Sequence, residues 1–511
     1  MDPIELSLFS SRIQTVCDEM GAVLRYAAFS PNIKDRLDYS CAVFDADGLL
    51  CAQAAHIPVH LGSMAYAMRG IVSRCDWRPG DMIILNDPYL GGTHLPDVTV
   101  IAPVFPTQDQ ADRPLAFVAN RAHHADIGAA SPGSMPLARD LAEEGVLLSP
   151  RYLLRDNRIV TETFMPLLDA LNNPRQAEAD FHAQISANHT GIARLGRLIL
   201  GMGSGVFCGA LAALNDYAET LARHGLAELP AGEYEFEDYM DDDGLGSEDI
   251  RIAVNVRIGE GTVDLDFSGT AAQVAGNINC PLSVTAAAVY YCLYCLMPAR
   301  TPACAGSFRP IRFSAPRGCL INAKSPAAVA AGNVETSSRI VDVIFGALAQ
   351  AAAERIPAAS QGTMNNIAMG GSGWDYYETA GGGMGAGRYG GGLDGIQTHM
   401  TNTLNTPIEI VEMQYPLRIG RYSLRDSSGG DGQRHGGDGL LREYVFLEPT
   451  SVTLLTERRR FAPWGLAGGS AGRSGANSLN NTALPAKVCL SVQPGDQLLL
   501  ATPGGGGWGS A

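Results

Sequence analysis

Apolar side chains recur at Phe9, Ile13, Val16, Met20, Leu24 and Ala27, three or four residues apart. That spacing predicts an amphipathic helix over 4–29, ended near Pro31. The period then drops to two: 39–44 and 49–53 flank Asp45-Ala46-Asp47-Gly48, a hairpin signal. Helical spacing returns at 62–75, and short β-rich runs follow at 82–85, 98–104 and 115–120. Helices dominate 174–226. Two alternating strands, RIAVNVRI and TVDLDF, surround Gly259-Glu260-Gly261, and helical patterns recur at 281–297 and 335–356. From about 360 onward the chain is glycine-rich and β-like. The mixture predicts an α+β protein, a large multi-layer mixed fold with a helical N-terminal half and a Gly-rich β C-terminal part. Three approximate regions follow: 1–170, 171–360 and 361–511.

The most apolar stretch, 282–297, lies between Pro281 and Pro298 and is too short to span a bilayer comfortably. It reads as a buried core helix. The N-terminus lacks a basic segment followed by an apolar one, so a signal peptide is not expected. The 11 scattered cysteines then suggest reduced thiols in a cytoplasmic protein. The one CxxC, Cys292 to Cys295, falls inside the apolar helix and is expected to pack in the core. A net charge of −16 argues against a nucleic-acid or anionic-membrane partner. Glycine, 59 of 511 residues, exceeds the usual share of about 7% without a collagen period.

Two segments concentrate the chemistry: NDPYLGGTHLPD (86–97) and NRAHHAD (120–126). Each borders a predicted strand in a turn-rich loop, where a scaffold can aim several side chains at one point. His94 and Asp97 share a turn stiffened by Pro96. An imidazole and a carboxylate suit zinc, manganese, iron or cobalt. His123 or His124 completes a three-ligand set with a position open for water or substrate, and Asp38 is a candidate fourth ligand. Neighbouring histidines on an extended strand point to opposite faces, so one faces the site and the other packs or acts from outside it. The competing reading is solvated loop residues around a turn aspartate. His56 and His60, around Pro58, are expected on one face of an extended segment, for substrate contact or structure ahead of ligation. His399, after a glycine loop, is a further candidate substrate contact. The sequence has no GxxxxGK[ST] phosphate loop, no dinucleotide fingerprint between strand and helix, and no GxSxG elbow.

At these residues the chain resembles the hydantoinase B/5-oxoprolinase family, which includes HyuB-like subunits of caprolactamase and of acetone and acetophenone carboxylases. NDPYLGGTHLPDV (86–98) and ANRAHHADIG (119–128) carry the likeness, with IKDRLDYSCAVFDADG (33–48) and AAHIPVHLGSM (54–64). Ordered blocks continue through VDLDFSGTAAQVAGNIN (263–279), AGNVETSSRIVD (331–342), HMTNTLNTPIE (399–409) and TPGGGGWG (502–509). Arg434-His435 stands where many members have Tyr-Arg, and the loop 106–114 is a few residues longer than usual.

The resemblance implies a metal set of Asp38, His94, Asp97 and His123, with His124 and Asp126 around it as catalytic groups. Zinc leads, with manganese, iron or cobalt as alternatives. It also implies a HyuA-like partner of actin-like ATPase fold, which binds ATP and Mg and phosphorylates the substrate, in a heterotetramer. The expected function is that of the metal-dependent, HyuB-like subunit of an ATP-dependent cyclic-amide hydrolase acting on a hydantoin, 5-oxoproline or a related lactam. A carboxylase-type subunit acting on a ketone and a non-catalytic scaffold for the ATPase are the alternatives. The glycine clusters at 381–395, 429–439, 465–475 and 504–509 are expected to form tight loops around the site or the subunit interface.

Overall fold

The computed structural model describes residues 1–54, 56–106 and 113–510. Most of the long loop at 106–114 therefore lies outside the described residues. Helix α1 (Pro3–Ala27) opens with a capping box: Asp2 accepts from the amides of Ile4 and Glu5, and Glu5 accepts from the amide of Asp2. Its stripe buries Phe9, Ile13, Val16, Met20 and Leu24, as the spacing predicts. A one-turn helix α2 (Pro31–Lys34) follows.

A seven-stranded sheet fills the N-terminal region beside these helices. Its strands are β1 (Tyr39–Asp45), β2 (Leu50–Gln53), β3 (Met82–Leu85), β4 (Asp97–Val104), β5 (Ala116–His123), β6 (Arg151–Arg155) and β7 (Arg158–Ile159), in the order β2-β1-β5-β4-β3-β6-β7. Helices α3 (Pro58–Val72), α4 (Thr161–Asp169), α5 (Pro174–Met202) and α6 (Ser204–Leu226) surround it. Side chains alternate between its faces. Cys41, Val43, Val98, Val100 and Val118 pack under α1, α5 and α6, whereas Ala42, Phe44, Ile101, Phe117 and Ala119 pack against Leu61, Met64 and Met68 of α3. Burial on both faces explains why these strands read as continuous apolar runs. Each large aliphatic side chain so buried contributes about 1.5–3 kcal/mol.

The middle of the chain supplies β8 (Gly232–Asp242), β9 (Glu248–Ile258), β10 (Val263–Asp266) and β11 (Ile311–Ser314) in the order β11-β10-β9-β8. Helix α7 (Leu282–Tyr294), the short α8 (Ala305–Phe308) and α9 (Ser337–Ala352) accompany them, α7 and α9 sharing one core with this sheet. A π-helical turn, Gly332–Thr336, leads into α9. Helix α7 is the buried apolar helix that its composition predicts. The paired cysteines differ from expectation: Cys292 is buried, but Cys295 sits at the C-cap and is exposed. Among the described residues no single helix is long and apolar enough to cross a membrane.

The C-terminal region forms two more sheets and the helix α10 (Ile408–Gln414). One holds β12 (Asn366–Gly371), β13 (Trp374–Glu378), β16 (Thr450–Leu455) and β19 (Lys487–Val492). The other holds β14 (Leu417–Arg425), β15 (Gly439–Phe446), β17 (Ala476–Leu479), β18 (Thr482–Leu484) and β20 (Gln497–Ala501). Ile367, Met369 and Val452 of the first share a core with Tyr444, Phe446, Leu498 and Leu500 of the second. The whole is an α+β multi-layer fold.

The glycine clusters pack on one another as close backbone rods. The Gly383 amide donates to Pro503 O, Gly437 to Met384 O, Gly505 to Gly437 O and Gly507 to Ser470 O. A Cβ on Gly383 would lie 1.9 Å from Gly437 O and 2.3 Å from the Gly505 amide. Glycine is needed here because backbone meets backbone with no room for a side chain. Gly383→Ala is therefore expected to cost about 3 kcal/mol or more by overpacking against backbone. Gly387→Ala, with nothing within 4 Å of the added carbon, should stay within about 0.5 kcal/mol of the parent in chemical denaturation.

Candidate metal centre

Three adjacent strand ends meet at one edge of the large sheet. β4 and β5 are antiparallel, and their register puts Asp97 directly opposite His123. β1 pairs with the other side of β5, and the His123 amide donates to Asp38 O at 3.0 Å. Residues far apart in sequence thus become neighbours through register alone. His94 enters from the turn before β4, where the Asp97 amide donates to His94 O at 3.1 Å. Thr93 Oγ1 donates to Asp97 Oδ2 at 2.5 Å.

The neighbours of each ring nitrogen decide what it can offer. His94 Nδ1 lies 3.1 Å from Ala330 O, and a carbonyl only accepts, so Nδ1 carries the hydrogen. The other nitrogen, Nε2, faces Asp97 Oδ1 at 3.2 Å and His123 Nδ1 at 3.3 Å. His123 Nδ1 is itself 3.1 Å from Asp97 Oδ1. Three ligand atoms converge, and with the hydrogen of His123 on Nε2 both rings would turn a lone pair, beside that of Asp97 Oδ1, toward a cation between them. Tetrahedral ligands at bond lengths of about 2.0–2.1 Å stand about 3.3 Å apart, so the spacing fits a metal. His94, Asp97 and His123 are the described residues whose ligand atoms come together this way, and all are buried. His123 Nε2 is buried without a protein partner among the described residues. The set fits zinc, manganese, iron or cobalt by donor type.

His60 is the residue whose part the sequence understates. It lies in the first turn of α3, not on an extended segment, because Pro58 starts the helix with a fixed φ. Its Nε2 is 3.1 Å from Asp97 Oδ2 and 3.8 Å from Asp38 Oδ1, and its Nδ1 is 3.4 Å from Ser40 Oγ. Asp38 stands beside the three-atom set, with Arg36 Nη2 3.9 Å from its Oδ2. Burial opposes ionisation of Asp97, yet the charges of His60 and His94 and the bonds from His123 and His60 hold it well below the usual carboxylate range. Burial lowers His123 below the ordinary imidazole value, which favours the neutral form that ligates. Arg121 donates to Thr99 Oγ1, Ser63 Oγ and Gly91 O, tying β4, α3 and the turn before His94 together.

Other predicted positions go elsewhere. The two adjacent histidines do point apart. His124 stacks on Phe181 at 4.3 Å, and its Nε2 meets Gln184 Oε1 at 3.1 Å, so it packs against α5 and not in the cluster. Asp126 accepts from the amides of Gly128 and Asn173, joining its turn to the start of α5. Neither touches the three-ligand set. His56 Nδ1 accepts from the Cys41 amide, and its ring meets Tyr39 edge-on. It lines a cavity of about 520 Å³ with Pro58, Leu61, Tyr290 and Tyr291. His399 Nδ1 lies 3.2 Å from Tyr291 Oη. Among the described residues, the backbone bonds of the glycine rods run to one another and to neighbouring loops, and none reaches His94, Asp97 or His123. Ala330 and Asn333 are contacts that sequence reasoning missed: Asn333 Nδ2 donates to Asp97 Oδ2 at 3.3 Å. A π-helical turn leaves no clear sequence mark, but such turns gather at functional sites.

The family model described as Hydantoinase B/oxoprolinase matches residues 2–511. The chain is 38% identical over 543 residues to 5-oxoprolinase 1 of Arabidopsis thaliana, covering all of this chain and 42% of that protein. It thus spans about two fifths of the 5-oxoprolinases it matches. It is 32% identical over 544 residues to a Pseudomonas protein provisionally named as a D-/L-hydantoinase subunit, covering 100% of this chain and 90% of that one. Among solved structures, the ATP-dependent caprolactamase of Pseudomonas jessenii superposes with a TM-score of 0.92 at 26% identity, over 100% of this chain and 91% of that one.

Burial, with a smaller effect from His60, lowers the His56 pKa to about 4. Unfolded histidines take up a proton near pH 6.5, whereas folded His56 resists it, so stability falls as pH drops below that value. Between pH 7 and 5 this one ring accounts for at most about 2 kcal/mol. His56→Asn, which keeps an acceptor for the Cys41 amide, should shrink the acid loss seen in urea denaturation. An unchanged loss would place the acid sensitivity at other groups.

Proposed function

Because the chain belongs to the hydantoinase B/oxoprolinase family, we propose that it is the metal-bearing, HyuB-like subunit of an ATP-dependent cyclic-amide hydrolase. His94 Nε2, Asp97 Oδ1 and His123 Nδ1 would hold a divalent ion, zinc first among the candidates. The observation that carries this reading is their convergence at 3.1–3.3 Å on a fully buried strand edge. Asp38, beside the set, is the proposed fourth ligand.

A bound divalent ion would polarise the substrate carbonyl and lower the pKa of water. The chain's own residues do the rest. His94, from the turn before β4, and His123, from the end of β5, are buried and close the inner side of the site to water. His60 would take and return a proton at Nε2, with Ser40 Oγ at its other nitrogen. Arg36, buried at the side of Asp38, keeps that carboxylate paired. An unactivated lactam carbonyl is a poor electrophile. A HyuA-like partner would supply activation by phosphorylating its oxygen with ATP and Mg, in a heterotetramer. The names of the oxoprolinase, hydantoinase and caprolactamase relatives support a cyclic amide as substrate. His56 and His399 are proposed substrate contacts; His124 and Asp126 act at most through the strand that carries His123.

The test is co-expression with the ATPase partner and a screen of hydantoins, 5-oxoproline and lactams for ATP-coupled ring opening. Asp97→Asn should bring turnover to background and remove bound metal while the complex still elutes intact. ATP-dependent hydrolysis surviving in that variant would overturn the metal reading. Bicarbonate-dependent consumption of a ketone, without ring opening, would assign the chain to the carboxylase branch instead.

A further inference from the structure

The segment 329–333 touches the metal centre twice. Ala330 O accepts the hydrogen of His94 Nδ1 at 3.1 Å, which fixes the tautomer and aims Nε2 into the cluster. Three residues on, Asn333 Nδ2 donates to Asp97 Oδ2 at 3.3 Å. One short piece of backbone therefore orients both members of the His94/Asp97 pair, from 236 residues away in sequence.

That piece is itself anchored by a carboxyl group outside the cluster. Glu144 is fully buried, and its Oε1 accepts from the amides of Val329 and Ala330, each at 2.8 Å. A second tie lies alongside, where the Leu141 amide donates to Pro326 O at 2.8 Å. Gly332 closes the other end. Its amide donates to Asn277 O at 3.0 Å, and a Cβ there would lie 1.8 Å from Asn279 O. A segment held at both ends cannot rotate its carbonyls freely, so the direction of Ala330 O depends on where Glu144 Oε1 sits.

We propose that Glu144 is a positioning residue for the metal centre, acting through the 329–333 segment to fix the ring of His94 and the carboxylate of Asp97. The inference rests on the reading of His94, Asp97 and His123 as metal ligands. It goes further by assigning a part to a residue that touches no ligand. Groups that orient metal-binding histidines from outside typically change metal affinity 10- to 100-fold, by order of magnitude, when altered.

Two conservative variants of the full chain separate reach from the identity of the group. Glu144→Gln keeps the reach and an oxygen for both amides in place of the carboxyl. Glu144→Asp keeps the carboxyl but draws the oxygen back by one methylene. Zinc affinity is read by competition with a chromogenic chelator, and the ligand field by the visible absorption of the cobalt-substituted protein. Positioning predicts that Glu144→Gln stays within about threefold of the parent, whereas Glu144→Asp weakens zinc binding about 10- to 100-fold and shifts the cobalt bands. Parental affinity and spectrum in Glu144→Asp, or a loss in Glu144→Gln as large as in Glu144→Asp, overturns the inference. If Glu144→Asp does not fold, Asn333→Ala decides: a shifted cobalt spectrum with weaker binding supports the clamp, and parental values overturn it. A parent chain that binds no zinc, or a His94→Ala chain that binds it undiminished, overturns the metal reading and the inference with it.

Discussion

A carboxylate oxygen and two ring nitrogens meet within 3.3 Å at one buried end of the large sheet. What holds them together is the pairing of β4 with β5, where hydrogen-bonded register sets Asp97 against His123. Apolar burial on both faces makes the sheet stiff. A one-residue slip would turn every side chain of the strand to the opposite face, moving valines out of the α1/α5 core. The register that packs the core is thus the register that makes the metal set. Stability and chemistry share one constraint, and neither can drift without the other.

A second set of buried charges ties the middle of the chain to the C-terminal sheets. Arg458 pairs with Asp238 of β8 and with Asp342 of α9. Lys487 of β19 reaches Glu457 at 2.5 Å, and Arg339 of α9 reaches the same carboxylate at 3.4 Å. Burying such ions is costly, and removing one partner typically costs about 3–5 kcal/mol. The network is a demand for mutual placement more than a gain in stability. It fixes α9, and with α9 the π-helical turn that precedes it and carries Asn333 to Asp97.

Local signals were legible in the sequence. The stripe of α1, the hairpin of β1 and β2, the strands β3 to β5 and the HxxD turn follow from periodicity and turn chemistry over a few residues. Long-range geometry was not. Opposition of Asp97 and His123 requires knowing which strands pair and in what register. The part played by His60 was hidden because Pro58 suits both an extended segment and the first turn of a helix, and the helix won through packing of Leu61, Met64 and Met68. Strand β8 was missed because its alternation, Tyr234, Phe236 and Met240, is diluted by acidic residues. Helix α10 was missed within a stretch dominated by glycine-rich, β-like neighbours. Ala330 acts through a backbone carbonyl, which no side-chain pattern reveals.

The glycine rods impose an order on assembly. Segment 502–509 runs between pieces of chain made much earlier: its amides donate to Gly437, Ala359, Ser470 and Leu466 in turn. During synthesis those acceptors wait for it, since nothing else is thin enough to take its place. At ribosomal rates of about 5–20 residues per second, His123 precedes this segment by tens of seconds. The ligands emerge first, the carbonyl that aims His94 second, and the rod that locks the C-terminal region last.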